Sequence, residues 1–205
     1  MLGATSTTSS PKERRRAQTR AEILDAAWEL CRERGLAGLS LRDLAARVGM
    51  RAPSLYSYFG SKDEIYDAMF AQGQRQLLDQ LDIDPANYRG RDDIRRGVRE
   101  FFEFCISDQV RYQLLFQRTI PGFEPSAESY GLAVTYLDRV AESLRNAGLD
   151  DPAMLDLLTA LVTGLIDQQF ANDPGGDRWA RLLDDALDMF FDHTGIPDQP
   201  GDDDR

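Results

Sequence analysis

The sequence predicts an all-α protein of about nine helices: an N-terminal three-helix helix-turn-helix unit, then a larger helical domain. Three observations predict it. Apolar residues recur with the helical period along most of the 205 residues. No period-two stretch of useful length occurs, so no strand is expected. The pattern breaks at glycine and proline, often with a helix-start signal immediately after.

Taken in order, residues 1–10 are rich in Ser and Thr, and Lys12, Arg14, Arg15 and Arg16 follow. Residues 1–16 therefore read as a disordered basic arm, able to enter a minor groove or simply to remain solvated. A helix is expected from Ala17, with Ile23, Ala27, Trp28, Leu30 and Cys31 on one stripe and Gly35 as its stop. Ser40, with Asp43 three residues on, opens a short helix as a capping box. Gly49 ends it. A second short helix is expected over Ala52–Phe59, with Pro53 in its first turn, where a missing N–H costs nothing. Ser61 and Glu64 form another capping box and open a long helix to about Leu81. Residues 82–91 interrupt. Further helices are expected at Asp92–Ser107, Val110–Arg118, Ala127–Asn146, Pro152–Ala171 and Arg178–His193. An acidic tail occupies 196–205. The expected division is 17–60 for the helix-turn-helix unit and 61–195 for the larger domain.

Composition narrows the function. No run of about eighteen apolar residues is present, so no membrane span is expected, and the N-terminus lacks the apolar core of a secretory signal. Cys31 and Cys105 are too few for a disulfide framework, which fits a reducing, cytoplasmic setting. One histidine, His193, and no ligand-spaced carboxylate motif argue against an enzyme, a metal site or a bound cofactor. The net charge is −11, but it is uneven: residues 1–60 hold ten basic and six acidic side chains, residues 61–205 fourteen and twenty-nine. A basic unit suited to a polyanion thus precedes an acidic body that a polyanion repels.

Two short helices joined by a glycine turn and flanked by longer ones suit a DNA-binding unit whose second short helix enters the major groove. Leu44, Ala45 and Val48 face its interior, with Met50 and Leu55 closing it. Arg51, Ala52, Ser54, Tyr56, Ser57 and Tyr58 are left to face outward. Lys62 stands at the first position of a helix, where the macrodipole disfavours a cation by roughly 0.3–1 kcal/mol. A phosphate contact explains its presence better than a plain surface role. Ser40 is a cap that can also meet a phosphate, and Thr19 lies near the expected start of the first helix.

The run Thr19–Gly35, followed by LSLRDLAARVGMRAPSLYSYFGSKDEIY, resembles the N-terminal domain of TetR-family one-component regulators. The resemblance is carried by Ala26-Ala27, Gly35, Leu44-Ala45, Val48-Gly49, Leu55-Tyr56, Tyr58-Phe59 and Ser61-Lys62-Asp63-Glu64, in one register over about residues 17–70. Beyond that, likeness lies in helix number and length. The sequence departs at Arg51, where the family often has a small hydroxyl cap. This implies a different cap and leaves Arg51 free to read a guanine edge.

The resemblance implies a ligand-responsive regulator, a repressor by expectation, binding a near-palindromic operator as a homodimer. Release by a small hydrophobic effector is the mechanism it implies. DNA contacts are expected from Thr19, Ser40, Arg51, Ala52, Ser54, Tyr56, Tyr58 and Lys62. The effector is expected among Phe101, Phe104, Tyr112, Phe116, Phe123, Tyr130 and Gln168. The last two long helices are apolar around much of their circumference. A second apolar stripe needs a second partner, so a four-helix dimer interface is expected from Leu158, Leu161, Leu165, Trp179, Leu183, Leu187 and Phe190, with Gly164 permitting close approach. A helical protein-interaction module is the other reading, but it leaves the basic unit unexplained.

Overall fold

The structure, a computed structural model, describes residues 10–196; the expectations for residues 1–9 and 197–205 lie outside them. The described residues form nine α-helices and three short 3-10 segments, with no strand. They divide into two compact units. The first runs up to Met69 and includes Arg118–Glu124; the second comprises Phe70–Gln117 and the residues from Pro125 onward. The division therefore falls inside a helix rather than at residue 60.

The first unit holds α1 (Pro11–Arg34), α2 (Leu41–Arg47), α3 (Ala52–Leu55) and the start of α4 (Lys62–Leu81). Helix α1 begins six residues earlier than expected, so residues 11–16 are helical and not a flexible arm. The physical reason is a complete N-terminal cap. The Glu13 amide donates to the Ser10 hydroxyl (3.2 Å), the Ser10 amide donates to the Glu13 carboxylate (2.7 Å), and Pro11 needs no donor partner. At the other end Gly35 has φ +75°, a conformation that L side chains rarely adopt. Gly49, φ +68°, turns the chain between α2 and α3 in the same way. The interior of this unit is built from Ile23, Ala27, Leu30, Leu44, Leu55 and Phe59, each 2% exposed or less.

Helix α3 is shorter than the expected Ala52–Phe59. Its last turn tightens from i→i+4 bonding, as in Tyr56 N–H to Ala52 carbonyl, to i→i+3, as in Tyr58 N–H to Leu55 carbonyl (2.9 Å). Leu55 and Phe59 stay buried through this change.

The second unit contains the rest of α4, then α5 (Arg91–Ile106), α6 (Gln109–Phe116), α7 (Ala127–Asn146), α8 (Pro152–Asn172) and α9 (Leu183–Thr194). Side-chain oxygens of Asp108, Ser126 and Asp151 cap α6, α7 and α8. The chain before α9 is a 3-10 turn, Ala180–Leu182, where a continuous helix from Arg178 was expected. Gln169 accounts for the difference. Buried at 2% exposure, it accepts from the Trp179 amide (2.9 Å) and the Ala180 amide (3.2 Å) and donates to the Asp173 carbonyl. It thus caps first-turn amides that a helix starting at Arg178 would leave without an internal partner.

Helices α5 and α9 are joined by a ladder of ion pairs. Arg91 meets Asp192 (3.2 Å), Arg95 meets Asp188 (2.5 Å) and Asp184 (3.4 Å), and Arg99 meets Asp184 (2.6 Å). The four-residue spacing on both helices puts each set on one face, and the pairing runs antiparallel. Within α4, Gln74 is 1% exposed, and neither its amide nitrogen nor its amide oxygen has a hydrogen-bond partner among the described residues.

Candidate nucleic-acid interface and effector cavity

The outward face of α3 begins at Arg51, its N-cap residue, whose backbone is extended (φ −81°, ψ 146°) and whose side chain makes no capping bond. Arg51 and Ser54 are exposed, Ala52 is half-buried, and Tyr56 is 53% exposed. Arg42 on α2 is exposed as well. The apolar residues of the same turn point inward, so one short segment separates a polar face from a buried one.

Two arginines of α1 hold that segment from behind. The Arg16 guanidinium donates to the Ser57 carbonyl (2.6 Å) and lies over the Tyr58 ring at 5.1 Å. The Arg20 guanidinium donates to the Tyr58 carbonyl and lies over the Phe59 ring at 4.0 Å. These are the carbonyls left over where α3 ends, and a cation there also matches the helix dipole. Arg16 was expected in a flexible basic arm; instead it anchors α3. Tyr58 is half-buried under it rather than fully presented.

Thr19 is an interior residue of α1, its hydroxyl donating to the Arg15 carbonyl (3.0 Å). The helix starts eight residues earlier, so the argument from free N-terminal amides does not apply to Thr19. Ser40 accepts from the Asp43 amide (3.4 Å), but the Asp43 carboxylate turns to Arg34 (2.5 Å) and does not complete a capping box. The expected Ser61–Glu64 box is half formed: Glu64 N–H donates to the Ser61 hydroxyl (3.1 Å), but the Glu64 carboxylate accepts from Gly60 N–H (2.7 Å), one residue before the cap. Lys62 stands at the first position of α4 as expected. It is half-buried, its ammonium 3.3 Å from the Ala37 carbonyl and 5.3 Å from the Tyr66 ring centre. Arg47 is paired with Glu33 through two bonds (2.7 and 2.8 Å), and that hydrogen bonding holds the Glu33 carboxyl below its ordinary range.

The second unit encloses an apolar cavity of about 110 Å³ between α5, α7 and α8. Of the seven expected effector residues, Phe101 and Phe116 line it, edge to face at 5.4 Å. The other five do not line it. Phe104 is fully buried away from the lining, and the Arg111 guanidinium lies 3.7 Å from its ring centre. Tyr112 donates to Asp167 (2.8 Å) in a separate polar recess. Phe123 belongs to the first unit, 5.5 Å from Tyr66. Tyr130 is 52% exposed and Gln168 is exposed on α8. Sequence reasoning did not single out Ile83, Tyr88, Gly97, Val140 or Val162 as lining residues. The high apolar periodicity of α5 was the available signal for part of this wall.

The expected dimer residues also divide. Leu158, Leu183, Leu187 and Phe190 are buried inside the protomer, so they are not on an outward face. Leu161, Leu165 and Trp179 are partly exposed. The fully outward apolar residues of this region are Leu157, Leu182 and Met189, the last 72% exposed, and a Cβ at Gly164 would meet nothing within 4 Å. A stripe that already faces its own core is not available to a second molecule.

Cys31 and Cys105 are free and buried, and burial pushes both thiols up, Cys31 to about 11, so neither is a reactive thiolate. Among the described residues no cluster of metal-ligating side chains occurs and no helix is long and apolar enough to cross a membrane.

Residues 23–69 match the family model described as bacterial regulatory proteins, tetR family. The chain is 26% identical over 174 residues to an HTH-type transcriptional regulator of Mycobacterium tuberculosis, covering 80% of this chain and 73% of that one. The crystal structure of the regulatory protein SCO4313 superposes with a TM-score of 0.72 at 25% identity, covering 89% of this chain and all of the other. The fold is shared too with the transcriptional regulator FadR from Bacillus subtilis, solved in complex with stearoyl-CoA (TM-score 0.63, 18% identity, 83% of this chain and 96% of that one).

Proposed function

We propose that this chain is a DNA-binding transcriptional regulator of the TetR family, a repressor that binds a near-palindromic operator as a homodimer and leaves it when a small apolar molecule fills the cavity of the second unit. The observation that carries the DNA reading is the exposed edge of α3. Arg51, Ser54 and Tyr56 face outward from a turn whose other side is locked by Leu55 and Phe59 and capped by Arg16 and Arg20. A helix this short is not stable alone, so these anchors give the reading face its rigidity. Arg51 reads a base edge; Lys62 and Ser40 position the backbone through phosphates.

The outward residues Leu157, Leu161, Gly164 and Leu165 on α8, with Leu182 and Met189 beside α9, support the dimer face. A two-fold dimer presents two reading faces, which is why the operator is a near-palindrome. The ligand-bound FadR neighbour and the apolar cavity support effector binding. Ile83 lines that cavity two residues after α4 ends, and α4 begins at Lys62. One helix therefore links the effector's wall to a phosphate contact, and a coupling of about 1–3 kcal/mol suffices to release DNA.

Fluorescence anisotropy with DNA from upstream of the protein's own coding region tests this reading. The expected result is tight, steeply salt-dependent binding of two protomers per site. Binding no tighter than to random DNA, or a monomer at micromolar concentration, refutes it.

A further inference from the structure

The walls of the cavity hold few polar side chains, and two of their hydroxyls are engaged within their own helices. The Ser143 hydroxyl donates to the Arg139 carbonyl (2.8 Å) and the Thr163 hydroxyl to the Thr159 carbonyl (2.7 Å). No Lys, Arg, His, Asp or Glu lines the space. Arg96 lies over the Tyr88 ring at 5.9 Å, but it pairs with Asp93 (2.9 Å) and is outside the lining. An ionised group brought inside would lose its hydration and meet no opposite charge.

Of the three lining hydroxyls without a hydrogen bond, that of Thr159 is on an exposed residue and the other two are on buried ones. The phenol hydroxyls of Tyr88 and Tyr136 make no hydrogen bond among the described residues, although both side chains are buried. Burial raises both phenols above their ordinary range, so they stay protonated as donors at neutral pH. Both are fixed. The Tyr136 ring stacks on Phe101 at 5.7 Å and 20°. The Tyr88 ring rests against Gly97, where a Cβ would collide with its hydroxyl and stand 3.0 Å from its Cε1. Neither hydroxyl oxygen is sealed off, so each is open to pair with an acceptor on a ligand in the cavity, and such a bond inside apolar walls adds to the ligand's affinity. At about 110 Å³ the space is smaller than a drug-sized pocket. Leu137, 41% exposed, also lines it and marks where the end of a longer chain emerges.

We propose that the cavity takes a compact, uncharged, mainly apolar molecule carrying a hydrogen-bond-accepting oxygen, a ketone, lactone or ester carbonyl, which Tyr88 and Tyr136 bind by donating to it. This deepens the reading of the cavity as the effector site and rests on it.

The test is calorimetric titration of the full chain with three probes of equal length: 2-octanone, octanoate and octylammonium. The ketone is expected to bind and the two ions to bind at least tenfold more weakly, the desolvation of an unpaired charge exceeding one hydrogen bond. Tyr136→Phe and Tyr88→Phe, each shown by circular dichroism to keep its helix content, are each expected to weaken the ketone by about fivefold, the size of one buried hydrogen bond. Failure of the ketone to bind, equal binding of either ion, or folded phenylalanine variants that bind the ketone like the parent would each overturn the proposal. Anisotropy on operator DNA in the same samples separates the two claims. A ketone that binds in the expected pattern yet leaves DNA affinity unchanged supports the cavity chemistry and removes the effector role.

Discussion

In the first unit Arg16 and Arg20 reach past their own helix to the carbonyls at the end of α3, while Arg51, at its start, is left exposed. In the second unit Arg91, Arg95 and Arg99 are laid along one face of α5 and matched by Asp192, Asp188 and Asp184 on α9. One residue type is thus used in two ways. Where helices are short, guanidinium groups close chain ends and leave one fork open to a ligand. Where helices are long, the same groups pair laterally and none of the three is left over. The difference explains how an acidic protein with a net charge of −11 can still present cations at one edge.

The largest effect expected from breaking this contrast lies beneath the caps. Phe59→Ala removes a ring that is 1% exposed and stacked under Arg20, and should cost about 3–5 kcal/mol in the first unit. Urea denaturation followed by circular dichroism should then show an early transition, with the rest of the helix signal lost later. A single unshifted transition contradicts the packing described. Next in size is Arg51→Ala, which should cost about 1–3 kcal/mol on operator DNA and little on random DNA, since it removes a base contact. Lys62→Ala should weaken both DNAs alike and lower the salt slope by about one. Competition binding at several salt concentrations distinguishes them, and equal profiles for the two variants would undo the assignment.

The smallest effect is expected in the ladder. Asp184 is about half exposed, so Asp184→Asn should cost no more than about 1 kcal/mol. Its carboxyl is held below the usual range, first by the hydrogen bond from Arg99. The folded value therefore lies below the unfolded value of about 3.9. Stability from this group is fully present above that and disappears as pH falls through the lower, folded value. The parent and Asp184→Asn should accordingly differ in thermal midpoint at pH 6 and converge at the acid end of a titration. Identical midpoints at every pH would show that the ladder contributes nothing.

The two units were also unequally legible. The Ser61 cap, Gly49 and the Leu44–Leu55 interior are local features, and the sequence places them where the structure has them. Ser10 and Glu13 are equally local, but they lie in a stretch whose composition reads as a disordered arm, and α1 starts six residues before the expected Ala17. The cavity was illegible for a different reason. Its wall draws on Ile83, Tyr88, Gly97, Phe116, Val140 and Val162, spread over eighty residues, and no spacing rule brings those together. The outward face of α8 was misassigned because an apolar pattern says that a residue is covered but not by which neighbour. Leu158 and Leu157 differ by one position, and one is core while the other faces out.

Gln74 sits in the stretch of α4 that belongs to the second unit, with both ends of its amide dry. An amide so placed opposes the very arrangement that encloses it, by roughly 1–3 kcal/mol. Helix α4 is therefore held by its neighbours against an internal bias.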